Sequence, residues 1–170
     1  YLFAWLFLLL ACSPAEQSAP DKAATLEQSG WNKGAMATAA NPHAVAAAVE
    51  MLEKGGHAVD AAIAAHAVLG LVEPQSSGLG GGGFMLVFEH DDKSLTFHDG
   101  RETAPAAATV DMFMRDGQVM DYVQAWQSGT SVGVPGAVAL YKSAHELHGK
   151  LPWEEVLQPA IRLAREGFEV

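Results

Sequence analysis

Five of the six residues from 78 to 83 are glycine, with Leu79 the exception. This run narrows what the chain can fold into. Glycine has no Cβ and loses more conformational freedom on folding than any other residue, so a glycine run builds no core. Its use is backbone that turns sharply or comes close to another group. Two short apolar segments follow, 84–89 and 94–98, joined by Asp91, Asp92 and Lys93. That pattern predicts a β-hairpin. Arg101 stands just past its second strand, between Gly100 and Glu102. A cation at the exit of a rigid strand is a candidate functional residue.

The rest of the chain reads mainly as helices. Residues 34–40 are expected to form a first strand. Asn41 and Pro42 are an N-cap and a first-turn proline. Val45, Val49 and Leu52 follow at helical spacing until Gly55 and Gly56 stop the helix. Asp60 lies near the start of a second helix over 59–69, which is apolar on every side and so expected to be buried. Residues 103–109 are expected to be irregular because Pro105 lies inside them, with a helix or turn over 111–114. Residues 132–136 lead into a helix over 137–148, closed by Gly149. A last helix over 153–165 ends at Gly167, and Pro159 bends or divides it. The order helix, helix, hairpin, helix, helix defines an α+β chain with antiparallel strand pairing.

The chain has 170 residues, enough for one domain with its own core. Lys and Arg total 10 against 20 Asp and Glu, a net charge of −10. With no cluster of basic residues, nucleic acid is excluded as a partner. The one cysteine, Cys12, rules out an internal disulfide and a cysteine-rich zinc site. Cys12 closes the apolar run 2–11, which is too short to span a bilayer, for which about 20 residues are needed. It reads as the h-region of a secretory signal. Leu9-Leu10-Ala11-Cys12 resembles a bacterial lipobox, in which Cys12 would be lipidated and tether the protein to a membrane. An ordinary signal peptide is the alternative. The organisation expected is a signal segment over 1–12, a polar linker over 13–30 and a folded part over 31–170. An exported protein is implied, periplasmic or tethered to the outer membrane. The chain starts with Tyr1 and stops just past a helix end, so it is expected to be part of a longer protein.

Three motif matches fail on context. Residues 78–83 fit GxGxxG, but a dinucleotide site needs a strand before it and a helix after it; here the order is reversed. Residues 129–133 fit GxSxG, but no apolar strand leads into them and no acid and histidine follow in order. They read as a turn before a strand. His145 and His148 are three apart with no third ligand, unlike a zinc-binding HExxH pair, and are expected on a surface helix. Arg101 remains. A guanidinium on a fixed strand end can hold a carboxylate by two parallel hydrogen bonds. An ion pair with Asp99 or Glu102 explains it equally well from spacing alone.

The chain resembles the N-terminal part of the gamma-glutamyltransferase (gamma-glutamyltranspeptidase) family. The resemblance rests on an ordered set of segments: Ala39-Ala40-Asn41-Pro42; Gly55-Gly56-His57-Ala58-Val59-Asp60-Ala61-Ala62; residues 71–82; Asp99-Gly100-Arg101-Glu102-Thr103-Ala104-Pro105; residues 131–136; and Gly149-Lys150-Leu151-Pro152-Trp153. It covers 34–170. It implies the N-terminal portion of an N-terminal nucleophile hydrolase fold, an αββα sandwich of two stacked sheets between helix layers. It also implies a precursor that cleaves itself into a large and a small subunit. The small subunit's new N-terminal threonine, with its own amine as base, attacks the gamma-glutamyl amide of glutathione and related compounds. The acyl group then passes to water, an amino acid or a peptide. The family's DGRETAP arginine, which grips the substrate's alpha-carboxylate, corresponds to Arg101.

The nucleophile falls outside this chain. None of Thr25, Thr38, Thr96, Thr103, Thr109 or Thr130 stands in the family's cleavage context, so the chain alone is expected to be inactive. No cofactor or metal is called for. Two rivals stand beside this reading. One is a cephalosporin acylase on the same fold, removing a glutaryl group that also ends in a carboxylate. The other is a non-catalytic, surface-tethered binding lipoprotein, which would not cleave itself.

Overall fold

The computed structural model describes residues 34–169. The signal-like segment 1–12, Cys12 included, and the linker 13–30 lie outside the described residues. Two helices, α1 (Pro42–Glu53) and α2 (Ala58–Val72), come first and pack on each other. Asn41 caps α1 by accepting the His43 N–H at 3.0 Å, and its amide donates to Glu73 Oε1 at 3.1 Å, tying the start of α1 to the end of α2. The small residues of α1 allow that close approach: Ala44, Ala47 and Ala48 are buried, with the larger Met51 beside them. They meet Val59, Ile63, Ala64 and Val68 of α2 in the core.

Asp60 is the one charged residue wholly buried there. Its Oδ2 accepts the backbone N–H of His57 at 2.7 Å, of Lys150 at 3.0 Å and of Leu151 at 3.3 Å. One carboxylate thus starts α2 and holds a loop ninety residues away in sequence.

The hairpin pairs β1 (Gly83–Phe88) with β2 (Leu95–Gly100) antiparallel, from Gly83 opposite Gly100 to Phe88 opposite Leu95. Lys93 makes its turn with φ 59°. The strand alternation divides the hairpin cleanly. Val87 and His98 face the helices, whereas Phe84, Leu86, Phe88, Leu95 and Phe97 are exposed on the other side. A small second hairpin joins β3 (Met114–Arg115) to β4 (Gln118–Val119). Asp116 and Gly117 form its turn, both with positive φ, a backbone that Asp-Gly adopts readily. Then come α3 (Tyr122–Gln127), a 3-10 turn (Gly129–Ser131), α4 (Ala137–His148), α5 (Trp153–Val156) and α6 (Gln158–Glu166). The last helix is divided at Leu157, and Pro159 sits in the first turn of α6, where its missing N–H costs nothing.

Two expectations need correction. Residues 34–40 are not a strand: Ala37 and Ala39 pack on the core, but no neighbouring strand among the described residues supplies ladder bonds. His145 and His148 are not surface residues: their side chains are only 18% and 7% exposed. Ala137, Leu140, Tyr141 and Ala144 form the buried stripe of α4, and the helical period carries it on to these histidines.

The hairpin meets α4 backbone to backbone. A Cβ built on Gly100 would lie 2.4 Å from Leu140 Cβ, and one on Gly136 would lie 2.1 Å from the Gly100 carbonyl oxygen. Gly136→Ala should therefore destabilise the protein by about 1–3 kcal/mol in equilibrium unfolding. Gly129→Ala, where nothing lies within 4 Å, should stay within about 0.5 kcal/mol of the parent. Asp60→Ala, which strands three backbone donors, should cost at least about 3 kcal/mol by the same measurement.

Candidate functional site

The glycine run acts through one carbonyl. Gly81 O accepts the N–H of Gly136 at 3.1 Å and of Ala137 at 3.0 Å, so the run caps the N-terminus of α4. Gly82 has no room for a side chain, since its Cβ would lie 2.3 Å from Gly100 O. The run thus fixes both the start of α4 and the end of β2. The helix before it and the strand after it are both observed, as is the absence of positive φ within it. The run serves close approach, not a phosphate loop.

Arg101 leaves this junction. Its backbone N–H donates to Asp99 Oδ1 at 2.9 Å, and the backbone two residues on is held by a two-way bridge between Thr103 and Val134. The backbone is anchored on both sides, while the side chain is 71% exposed. Its Nη1 lies 3.4 Å from Glu102 Oε2. Of the two ion-pair partners left open by the sequence, Glu102 holds that place, and Asp99 spends an oxygen on the backbone. A single long contact made by a guanidinium this exposed is worth little, about 0–1 kcal/mol, so the guanidinium is open to a carboxylate from outside.

A polar cleft of about 380 Å³ opens behind Glu102, lined by His66, Ser76, Ser77, Gly80 and Gly82 among others. Ser77 Oγ is buried without a hydrogen-bond partner among the described residues, and Glu102 Oε2, also buried, has only its 3.4 Å ion-pair contact with Arg101. Burial pushes the His66 imidazole below its ordinary range and the Tyr141 phenol up to about 12. The phenol therefore keeps its proton, and its oxygen is hydrogen-bonded to His66 Nδ1. Sequence reasoning missed Glu102 and His66 as neighbours of this cleft. Glu102 stood next to Arg101 and could have been found, but His66 lay hidden in an unbroken apolar helix.

The other motifs do not assemble. Ser131 Oγ donates to the carbonyls of Trp126 and Ser128, so the GxSxG hydroxyl is spent inside a turn. The strand expected after it shrinks to the single Thr103–Val134 bridge. Among the described residues no group of three or more His, Cys, Asp or Glu side chains is placed to hold a metal ion.

Comparison with known proteins gives a consistent result. The family model described as Gamma-glutamyltranspeptidase matches residues 44–170. The glutathione hydrolase proenzyme of Bacillus subtilis is 40% identical over 139 residues, covering 81% of this chain and 24% of that protein. A solved gamma-glutamyltranspeptidase from Pseudomonas nitroreducens, complexed with L-DON, superposes with a TM-score of 0.76 at 38% identity. It covers 82% of this chain and 41% of the solved one. A cephalosporin acylase from Bacillus halodurans superposes with a TM-score of 0.64 at 33% identity, over 76% of this chain and 24% of that one. The chain spans about a quarter of the length of the curated relatives it matches. Its helices and hairpin match an N-terminal portion of the N-terminal nucleophile hydrolase fold.

Asp99 sets the backbone direction at Arg101. Asp99→Ala should cost about 0.5–1.5 kcal/mol in equilibrium unfolding, and Asp99→Asn, which keeps the acceptor oxygen, should recover most of it.

Proposed function

Because the chain belongs to the gamma-glutamyltranspeptidase family, we propose that it carries the carboxylate-binding part of an enzyme transferring gamma-glutamyl groups. The donors are glutathione and related gamma-glutamyl compounds, and the acceptors are water, amino acids or peptides. The observation that carries this reading is Arg101: an exposed guanidinium on a backbone pinned by Asp99, Gly100 and Gly136. Such a group binds an alpha-carboxylate through two parallel charge-assisted hydrogen bonds. Fixing that end of the substrate fixes the distance to the amide that reacts, so binding at Arg101 also serves turnover.

The chemistry itself is assigned to a threonine beyond this chain. Freed by self-cleavage of a precursor, its amine would take the hydroxyl proton as the oxygen attacks the gamma-carbonyl, giving an acyl-enzyme that water or an acceptor amine then releases. The exposed apolar face of the hairpin supports a partner segment of this kind, since five large apolar side chains share it. Export, with Cys12 as a lipid attachment point, rests on the sequence of residues 2–12 alone. Cephalosporin acylase activity is the second reading, favoured by the 33% identity to that solved chain. A panel of gamma-glutamyl and glutaryl amides separates the two.

The test is hydrolysis of a gamma-glutamyl anilide by the full-length protein. Arg101→Ala should lower kcat/KM by about 30- to 1000-fold, equivalent to about 2–4 kcal/mol, with most of the loss in KM. Arg101→Lys should fall between the two, because an ammonium keeps the charge and loses the fork. Unchanged kinetics would remove Arg101 from the site.

A further inference from the structure

Residues 104–133 leave the folded body between Thr103 and Val134, whose backbones bridge each other and close the excursion at its root. No residue of this segment is buried, and none is among those that form the hydrophobic core or pack against it. Its backbone is nonetheless ordered by local bonds. Asp116 and Gly117 turn the β3–β4 hairpin with positive φ. Met120 donates its N–H to the Phe113 carbonyl at 2.8 Å. Asp121 caps α3 by accepting the Val123 N–H at 2.9 Å, and Ser131 fastens the 3-10 turn.

These elements are too small to hold themselves. Helix α3 has six residues, and β3 and β4 have two each. Isolated helices need about 12–15 residues, and a lone two-stranded hairpin is marginal in water. The side chains that could supply the missing stability face solvent: Tyr122 is 79% and Trp126 65% exposed, and Phe113, Met114, Val119 and Val123 are exposed with them. Charge is sparse, since only Asp111, Arg115, Asp116 and Asp121 are ionic between 104 and 133. Aromatic and methionine surface depleted of charge is the composition of the buried centre of an obligate interface.

Charge and connectivity identify the occupant. A lipid surface is disfavoured, because an interfacial segment lines its polar side with Lys and Arg, and here Arg115 is the only cation. The family model runs through the segment to residue 170, and about three quarters of the Bacillus subtilis relative lies outside the match. A surface on the same polypeptide meets the segment at an effective concentration up to the order of millimolar. A separate copy matches that only when the protein itself is that concentrated.

We propose that residues 104–133 form a docking arm, seated in the whole protein on chain that follows Val170 in the same polypeptide, through an apolar interface centred on Phe113, Tyr122 and Trp126. The proposal rests on the family reading above for the presence of that further chain, and not on gamma-glutamyl chemistry. The root of the arm lies two residues past Arg101, so seating the arm also restrains the backbone that carries the guanidinium.

Photo-cross-linking of the full-length protein with p-benzoylphenylalanine in place of Trp126 tests this, since a benzophenone reacts only with C–H bonds that it touches. Peptide mapping should place the cross-link on a peptide beyond Val170 of the same copy. A cross-linked species holding two copies of 104–133 assigns the surface to a second copy, and lipid adducts assign it to a membrane. Either result overturns the proposal, as does a cross-link confined to 34–169 or none at all. Hydrogen–deuterium exchange of the unsubstituted full-length protein is the second measurement. Amides of 122–127 should exchange at least about a hundredfold slower than their intrinsic rate, and Y122S/W126S should remove at least about tenfold of that protection. Exchange at the intrinsic rate overturns the proposal, and so does full protection in the double variant. Anilide hydrolysis by the same preparations reports on the reaction separately, so docking and activity fail independently.

Discussion

The contact on which the site depends is the meeting of three backbones at Gly82, Gly100 and Gly136. Side chains normally keep packed layers well apart, about 10 Å for two stacked sheets. Here the glycines let β2, the glycine run and the start of α4 touch main chain to main chain. Packed interiors transmit displacement instead of absorbing it, so the exit of β2, and with it the Arg101 backbone, is set by α4. The Gly81 carbonyl completes the arrangement by capping that helix. Glycine is costly in chain entropy, but at this junction no other residue fits.

Much of this was legible in the sequence, for reasons that differ by element. The start of α1 was clear because Asn41 and Pro42 are local signals that tertiary packing has no reason to override. The helix over 137–148 and the split at Pro159 were clear for the same kind of reason. The reading of 34–40 as a strand failed because strand formation needs a neighbour, and a sequence does not say where its neighbour is. The β3–β4 hairpin was overlooked although Asp116-Gly117 is a recognisable turn; its strands are too short to show a period. Arg101 stood out by position, but its freedom did not. That depended on which oxygen of Asp99 faced the backbone and how far Glu102 lay from the guanidinium.

The two faces of the hairpin describe two relationships. The inward face carries Val87 and His98 and belongs to the chain's own core, with the His98 ring edge-on to His148. The outward face carries Phe84, Leu86, Phe88, Leu95 and Phe97, with Phe84 and Phe97 stacked at 5.7 Å. Asp99 lies on that outward row, opposite Phe84, and Arg101 follows two residues later. In the function proposed above, this apolar floor would seat a second segment and the fixed cation beside it would orient a substrate between the two.

The claim that Arg101 holds an alpha-carboxylate is tested most directly by altering both partners at once. The full-length protein and its Arg101→Ala variant would each be assayed with a gamma-glutamyl anilide and with the analogue whose alpha-carboxylate is a neutral amide. The account predicts that the parent loses most of its kcat/KM on the amide while the variant scarcely distinguishes the two, a coupling of at least about 2 kcal/mol. Equal losses in parent and variant would show that the carboxylate is recognised elsewhere.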